Sequence, residues 1–184
     1  MSSIASRSQL RMSFLRYALI TVPAILLLGT LSGRASNSGY SNDWFAALEK
    51  PAAMPPSLAF PIAWTILYML LGLALALILH ARGARGRPAA IAFFLVQLAL
   101  NYAWSPIFFG AHQVGAALIV IVAMFVLAAI TALLFTRIRR LAGLLMVPYL
   151  AWLLFAAFLN WQIGVLNPDA GAIVPGQGST DIAL

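Results

Sequence analysis

One apolar stretch of the chain carries polar and aromatic side chains that are unusual for their surroundings. Gln97, Asn101, Trp104 and Ser105 lie inside the run 88–136, which contains no charged residue. Asn101 is four positions from Gln97, three from Trp104 and four from Ser105. In a helix this spacing puts side chains on one face. Amides that face lipid hydrocarbon are costly. We therefore expect this face to look into protein or a cavity, and to contact a ligand there.

Two other apolar stretches carry similar faces. Trp64 and Tyr68 lie four positions apart, and Tyr149, Trp152 and Asn160 share a second helical face. A pocket formed from such faces would be mainly apolar and aromatic, with a few converging polar groups. The alternative is structural, because Trp and Tyr near helix ends anchor helices at the membrane surface and buried amides join helices to each other. Composition alone leaves both interpretations open.

The remaining residue types exclude most catalytic chemistry. The chain has four carboxylates, all in predicted loops or the tail, and no Cys. No spacing is typical of a metal site and no glycine-rich phosphate loop is present, so we predict no metal and no required cofactor. The two histidines, His80 and His112, are candidate haem ligands, or they lie at the membrane surface. Charged residues are missing from the predicted helices, which argues against an ion-coupled pump.

Composition identifies an all-α integral membrane protein, with 63% hydrophobic and 8% charged residues. Basic residues sit at the ends of apolar runs, so the net charge of +7 does not indicate nucleic-acid binding. A crossing helix needs about 20 apolar residues. The pattern predicts a bundle of five transmembrane helices, with bends at Pro106 and Pro148. The predicted helices cover residues 17–33, 59–80, 88–109, 114–136 and 141–163.

Three segments lie outside these helices. Residues 1–16 form a basic amino-terminal segment, and residues 168–184 are predicted to be a flexible tail. The loop 34–57 is expected to contain a short helix over 44–49 capped by Asp43. Its prolines stiffen it, so we predict that it forms a structured lid over the bundle. A cleaved signal peptide is the alternative interpretation of the first apolar segment.

Arginine placement predicts the orientation of the helices. The amino terminus and the second and fourth connections each contain three arginines, and these segments share one side only if there are five crossings. The positive-inside rule puts that side in the cytoplasm, as for a protein of the bacterial inner membrane. The predicted lid loop then faces outward.

Three blocks of sequence together resemble one known family. They are Trp44-Phe-x-x-Leu-x-Lys50-Pro51-x3-Pro55-Pro56 with Phe60-Pro-x-x-Trp64-x-x-Leu-Tyr68, then 97–110 continuing to Gln113-x-Gly115, and Pro148-Tyr149-Leu-x-Trp152 with Leu159-Asn160. These blocks are similar to those of the TspO/translocator protein family, the tryptophan-rich sensory proteins and peripheral-type benzodiazepine receptors. The resemblance covers about residues 17 to 167.

The resemblance implies a five-helix bundle, often dimeric, whose first loop covers a pocket for large, flat, apolar ligands. Such ligands include porphyrins and haem, with sterols or lipids as further hydrophobic partners. Carried over position by position, it implies a pocket and a lid. The pocket residues are Phe60, Trp64, Tyr68, Asn101, Trp104, Phe108, Tyr149 and Trp152. The lid residues are Trp44, Lys50, Pro51, Pro55 and Pro56. Ala99 and Ala103 form a small-residue motif that suits a homodimer.

The resemblance suggests a receptor, sensor or carrier for tetrapyrroles. The alternative is an enzyme that degrades porphyrin with light and oxygen, in which Trp64 and Trp152 would be the reacting indoles. The chain departs from the family pattern in the loop, where Ala52, Ala53 and Leu58 occupy the region in which tryptophans usually stand.

Overall fold

The computed structural model describes residues 7–173 of the chain, with side chains from residue 12 onward, and this part is all-helical without strands. The helices are α1 Arg7–Ala35, α2 Asp43–Ala47, α3 Ala59–His80, α4 Arg87–Ser105, α5 Val114–Ile138, α6 Arg140–Leu144 and α7 Val147–Leu166. Five apolar spans in this part are long enough to cross a bilayer: Met12–Ala35, Ala59–His80, Arg87–Gly110, Val114–Ile138 and Arg140–Leu166. The predicted all-α fold with five membrane helices is confirmed.

The first helix is longer than its apolar segment. It begins at Arg7, whereas the predicted helix began at residue 17. The prediction followed hydropathy alone, yet the preceding residues include Gln, Leu, Arg and Met, which are good helix formers and continue the helix beyond the apolar run. A predicted basic segment thus becomes, from Arg7 onward, part of α1.

The bundle is built from neighbouring helix pairs. Helix α1 packs along α3 and also contacts α4, α4 packs on α5, and α5 packs on α7. Helices α1 and α3 approach closely at Gly72, where a Cβ would lie 2.7 Å from the Cα of Val22. Thr21 Oγ1 donates to the Gly72 carbonyl oxygen at 2.8 Å. Helices α3 and α7 touch much less than these pairs do.

The predicted bend at Pro106 appears as a widened turn. Residues Pro106–Gly110 continue α4 as a π-helical turn, in which the Ala111 N–H donates to the Pro106 carbonyl. Proline has no N–H to offer the Tyr102 carbonyl. That carbonyl accepts a hydrogen bond from the Ser32 hydroxyl of α1 instead. The interruption therefore ties α4 to α1.

The last crossing is broken in front of Pro148. Helix α6 ends at Leu144 and α7 begins at Val147, so Pro148 occupies the first turn of α7. Proline is well tolerated there because the first N–H groups of a helix have no intrahelical partner. The predicted single helix 141–163 is therefore two helices, and α7 extends to Leu166 because its residues remain apolar.

The two ends of the bundle differ in composition. Arg82 and Arg85 lie in the connection after α3, and Arg137 and Arg139 lie in the last turn of α5 and directly after it. We call this the arginine end. The opposite end carries the loop 36–58, and we call it the loop end. Two buried clusters follow this division, a long one through the bundle and a smaller one at the loop end.

Candidate functional site

Four predicted site residues form an aromatic face where α3 passes α7. The Trp64 ring lies 5.2 Å from the Tyr68 ring and 6.3 Å from the Trp152 ring, centroid to centroid. Phe60 meets Trp152 edge-on at 6.0 Å. Edge-to-face and tilted pairs in this distance range are favourable. Phe60, Trp64 and Trp152 are half-buried, so their rings are partly open to whatever lies beside the bundle.

Behind this face runs a chain of buried hydrogen bonds. The Tyr68 hydroxyl donates to Asn101 Oδ1 at 2.8 Å, and Asn101 Nδ2 donates to the Tyr149 hydroxyl at 3.1 Å. The Tyr149 hydroxyl in turn donates to Gln97 Oε1 at 2.9 Å. These bonds join α3, α4 and α7 across the interior. The structure thus brings together Tyr68, Asn101 and Tyr149, as the sequence spacing predicted for residues on facing helices.

One donor at the end of this series of hydrogen bonds has no partner among the described residues. Gln97 is completely buried, and its Nε2 has no hydrogen-bond partner among the described residues. A buried polar group without a partner usually costs about 1–3 kcal/mol. Gln97 was noted in the sequence for its spacing, but it was not among the predicted ligand-binding residues. The four-residue spacing between Gln97 and Asn101, which puts both amides on one helical face, was the sequence signal for its place in this network.

The other two predicted site residues lie elsewhere. Trp104 stacks on Phe108 at 4.9 Å, and both belong to the smaller buried cluster at the loop end. Trp104 also packs against the main cluster, so it bridges the two. Its indole N–H is buried and has no partner within the described residues. Phe108 lies 5.4 Å from Trp44, so the structure places it against the loop, away from Trp64 and Trp152.

The loop is attached to the bundle by Trp44. Its indole is 1% exposed, donates to the Ala170 carbonyl at 2.8 Å and stacks on His112 at 4.3 Å. Asn42, and not the predicted Asp43, caps α2, because its side chain accepts from the Phe45 N–H at 2.9 Å. Helix α2 ends at Ala47, two residues earlier than predicted.

The other predicted lid residues shape the loop itself. Lys50 Nζ donates to the Ala46 and Leu48 carbonyl oxygens, and partial burial lowers the pKa of its ammonium group. The Pro55 carbonyl accepts from the Tyr40 hydroxyl at 2.7 Å. Pro51 is buried, whereas Pro56 is exposed. None of these contacts reaches Trp64 or Trp152.

A second attachment, not predicted from sequence, joins the loop to the end of α7. The Glu49 N–H donates to Asn167 Oδ1 at 2.8 Å, and Asn167 Nδ2 donates back to the Glu49 carbonyl at 2.9 Å. The residues that follow include Ala170, which is buried under Trp44. The predicted tail 168–184 is therefore packed against the loop as far as Ile173, and its part from residue 174 lies outside the described residues.

Comparison with known proteins agrees with this architecture. A sequence model of the TspO/MBR family matches residues 20–166. The chain is 33% identical to protein CrtK of Rhodobacter capsulatus over 151 residues, which are 81% of this chain and 94% of that protein. It is 40% identical to the tryptophan-rich protein TspO of Chlorobaculum tepidum over 68% of this chain and 80% of that one. It is 38% identical to the human translocator protein over 74% and 82%.

Proposed function

Since the chain belongs to the TspO/MBR family of membrane proteins, we propose that it is a receptor, sensor or carrier for large, flat, apolar molecules such as porphyrins or haem. The ligand would lie against the aromatic face formed by Phe60, Trp64 and Trp152. No resident cofactor is needed for this role, because the tetrapyrrole is the ligand itself. The matched proteins' names, tryptophan-rich sensory protein and translocator protein among them, suit the same role.

The observation that carries this proposal is the aromatic face at a helix pair that packs only loosely. Helices α3 and α7 touch little, and the space between them is filled by rings that meet at 6.0–6.3 Å. Such edge-on rings separate at small cost, since each pair contributes only about 0.5–1.5 kcal/mol beyond area burial. A flat macrocycle that slides between Trp64 and Trp152 would replace these contacts by stacking on both indoles.

We further propose that the loop acts as the lid of this site. The loop meets α3 through Tyr40, whose ring lies 6.4 Å from that of Phe60. Trp44 and Asn167 hold the other side of the loop on α7 and its extension. Release of these attachments would let the loop swing from the bundle and admit a ligand to Trp152 from the loop end.

Titration of protoporphyrin IX into the purified protein tests the site. Wild type should show saturable quenching of tryptophan fluorescence. Trp152→Ala should weaken binding about tenfold, because stacking of a flat ring system on an aromatic side chain contributes about 1–3 kcal/mol. Trp161→Ala is the matched control, since this indole is 52% exposed on another part of α7. Equal affinity in wild type and Trp152→Ala would refute the site.

A porphyrin-degrading enzyme is the second candidate function. The pairing of two indoles, Trp64 and Trp152, at 6.3 Å favours it, because one ligand would touch both oxidisable rings. Illumination of the porphyrin complex in oxygen should then yield a new absorbing product that is lost in Trp64→Phe. Porphyrin that stays unchanged under light would exclude this activity.

We also propose a homodimer and an orientation. Ala99 is exposed and Ala103 half-buried on α4, which leaves a shallow surface where a second α4 can approach. Crosslinking in lipid should give a dimer that Ala99→Phe abolishes. The arginine end should face the cytoplasm of a bacterial inner membrane. Labelling of single cysteines introduced at the two ends, with a reagent that cannot cross the membrane, tests that orientation.

A further inference from the structure

The end of α5 and the start of α6 each carry an exposed arginine at the boundary of the bilayer, with an exposed leucine below it. One apolar span ends at Ile138 and the next begins at Arg140. Arg137 and Arg140 are exposed, and Leu133 and Leu144 are 65% and 64% exposed. Each leucine is four residues from its arginine, on the same helical face and about 6 Å deeper in the membrane. We call them the two Arg–Leu pairs.

The packing of α6 on α5 puts the two Arg–Leu pairs on one side of this hairpin. A Cβ on Gly143 would lie 2.8 Å from the Ala132 carbonyl oxygen and would overlap the Thr136 hydroxyl, so α6 faces α5 at Gly143. Successive helical residues are rotated by about 100°, so each pair lies about a quarter turn from this contact. Because α5 and α6 run in opposite directions, these rotations bring both pairs to the same side. The other side faces the bundle, where Phe135 and Ala142 are fully buried.

The positive charge at this end is not neutralised by carboxylates. Those of the described residues belong to Asp43, Glu49 and Asp169, which all lie at the loop end. Arg87 at the arginine end is engaged, because its guanidinium group donates to two carbonyl oxygens at the end of α3. The arginines of the two pairs make no hydrogen bond of this kind within residues 12–173. Their guanidinium groups are therefore available to an anionic partner.

We propose that the two Arg–Leu pairs bind a bilayer phospholipid with a net negative head group, of the phosphatidylglycerol type. The guanidinium groups of Arg137 and Arg140 donate to its phosphate oxygens, which their planar forks of N–H groups suit. The acyl chains run inward along Leu133 and Leu144, so the head group and the chains lie at their ordinary depths in the bilayer. A head group with its own cation suits the site less, because that cation would face two arginines. This binding is independent of the tetrapyrrole role proposed above.

Native mass spectrometry of the full chain in detergent micelles tests the preference for negative charge. The probes are palmitoyl-oleoyl phosphatidylglycerol and phosphatidylcholine, which share their acyl chains and the phosphate. Wild type should bind phosphatidylglycerol about tenfold more tightly, because each arginine near a membrane surface attracts anionic lipid. In Arg137→Gln/Arg140→Gln the two affinities should lie within about twofold.

The matched control removes the same charge outside the hairpin. Arg34→Gln/Arg85→Gln changes two exposed arginines, one in the last turn of α1 and one in the connection after α3, and should keep the tenfold preference. Equal affinities for the two lipids in wild type would overturn the proposal. So would an equal loss in both double variants, since the preference would then follow from net charge alone.

Fluorescence quenching in liposomes of both lipids tests the place of binding. The chain contains no Cys, so one introduced cysteine can be labelled selectively. A fluorophore on Leu144→Cys should be quenched more by phosphatidylglycerol with brominated acyl chains than by phosphatidylcholine with the same chains. Leu19→Cys is the control, because Leu19 is 74% exposed on α1 close to Tyr17, which accepts from Arg82 at the same end. Both lipids should quench the control equally, and equal quenching at Leu144→Cys as well would overturn the proposed site.

Discussion

Two aromatic regions of this protein are built from the same residue types but differ in how completely their polar groups are paired. At the loop end, the indole N–H of Trp44 donates to Ala170, and Asn167 exchanges two hydrogen bonds with Glu49. In the interior behind the aromatic face, Gln97 Nε2 is buried without a partner in the described part of the chain. Trp104, which packs against both buried clusters, also has an indole N–H without a partner there.

This difference separates two uses of buried polar side chains. Satisfied and fully buried groups stabilise a fold, whereas unpaired buried donors are costly and persist mainly where another molecule completes them. The contacts at the loop end therefore stabilise the attachment of the loop to the bundle, whereas the interior face has the properties of a binding site. Substitutions in the two regions should differ accordingly in whether they affect stability or binding.

The largest expected effect is that of Trp44→Ala. It leaves a cavity among Phe45, Phe108 and Ala170 and removes a buried hydrogen bond. A buried Trp→Ala change costs about 3–5 kcal/mol. We expect a clear drop in the melting temperature of the detergent-solubilised protein and faster proteolysis of the loop. The control is Trp161→Ala, which removes an exposed indole on α7. If Trp44→Ala melts no lower than this control, Trp44 does not stabilise the attachment of the loop.

A smaller effect is expected for Tyr149→Phe in the interior. The lost hydroxyl leaves Asn101 Nδ2 and Gln97 Oε1 without their partner. Buried groups left unpaired cost about 1–3 kcal/mol. Tyr68→Phe is the matched control, because it removes only the single bond to Asn101 Oδ1 and should destabilise less. Equal melting temperatures for both variants would show that the bonds do not form a connected chain.

Much of the fold was predictable because hydropathy reports directly on membrane crossing. The five spans follow from uncharged apolar runs, and the meeting of Tyr68, Asn101 and Tyr149 follows from helical spacing on three helices. The start of α1 was wrong because helix propensity extends the helix beyond the apolar run, and the end of α7 was wrong because the apolar run itself continues to Leu166. Pro106 was correctly predicted to disturb α4, but periodicity carries no information on the Ser32 hydroxyl that compensates it.

The loop could be predicted only in outline. Its prolines indicate a stiff segment, yet the choice of Asn42 over Asp43 as cap depends on where the chain turns by one residue. Phe108 was assigned with Trp64 by family position, but the widened turn after Pro106 rotates it toward Trp44. The bond between Asn167 and Glu49 joins segments far apart in sequence, and no local pattern encodes such a pair.

Asn167→Leu should weaken the attachment of the loop to the end of α7 near Glu49 only. The Glu49 amide loses its acceptor, and a hydrogen bond of this kind contributes about 0.5–1.5 kcal/mol. Hydrogen exchange at the Glu49 amide should accelerate by about two- to tenfold. Exchange at the Phe45 amide, which is held by Asn42, serves as the internal control and should change little. Acceleration of both amides to the same degree would mean that the loop opens as one unit.

The smallest effect on stability is expected for Gln97→Met, and it makes the sharpest test of the comparison. The substitution removes the unpaired Nε2 but also removes the acceptor of the Tyr149 hydroxyl, so one unpaired donor replaces another. The two changes nearly cancel, and the free energy of unfolding should shift by less than about 1 kcal/mol. Under the proposed function, a porphyrin carboxylate would accept a hydrogen bond from this amide nitrogen, so binding should respond more strongly than stability. Protoporphyrin IX should lose affinity in Gln97→Met, whereas its dimethyl ester should lose less. If instead Gln97→Met melts at as low a temperature as Trp44→Ala, the polar groups of the interior face serve stability and do not form a binding site.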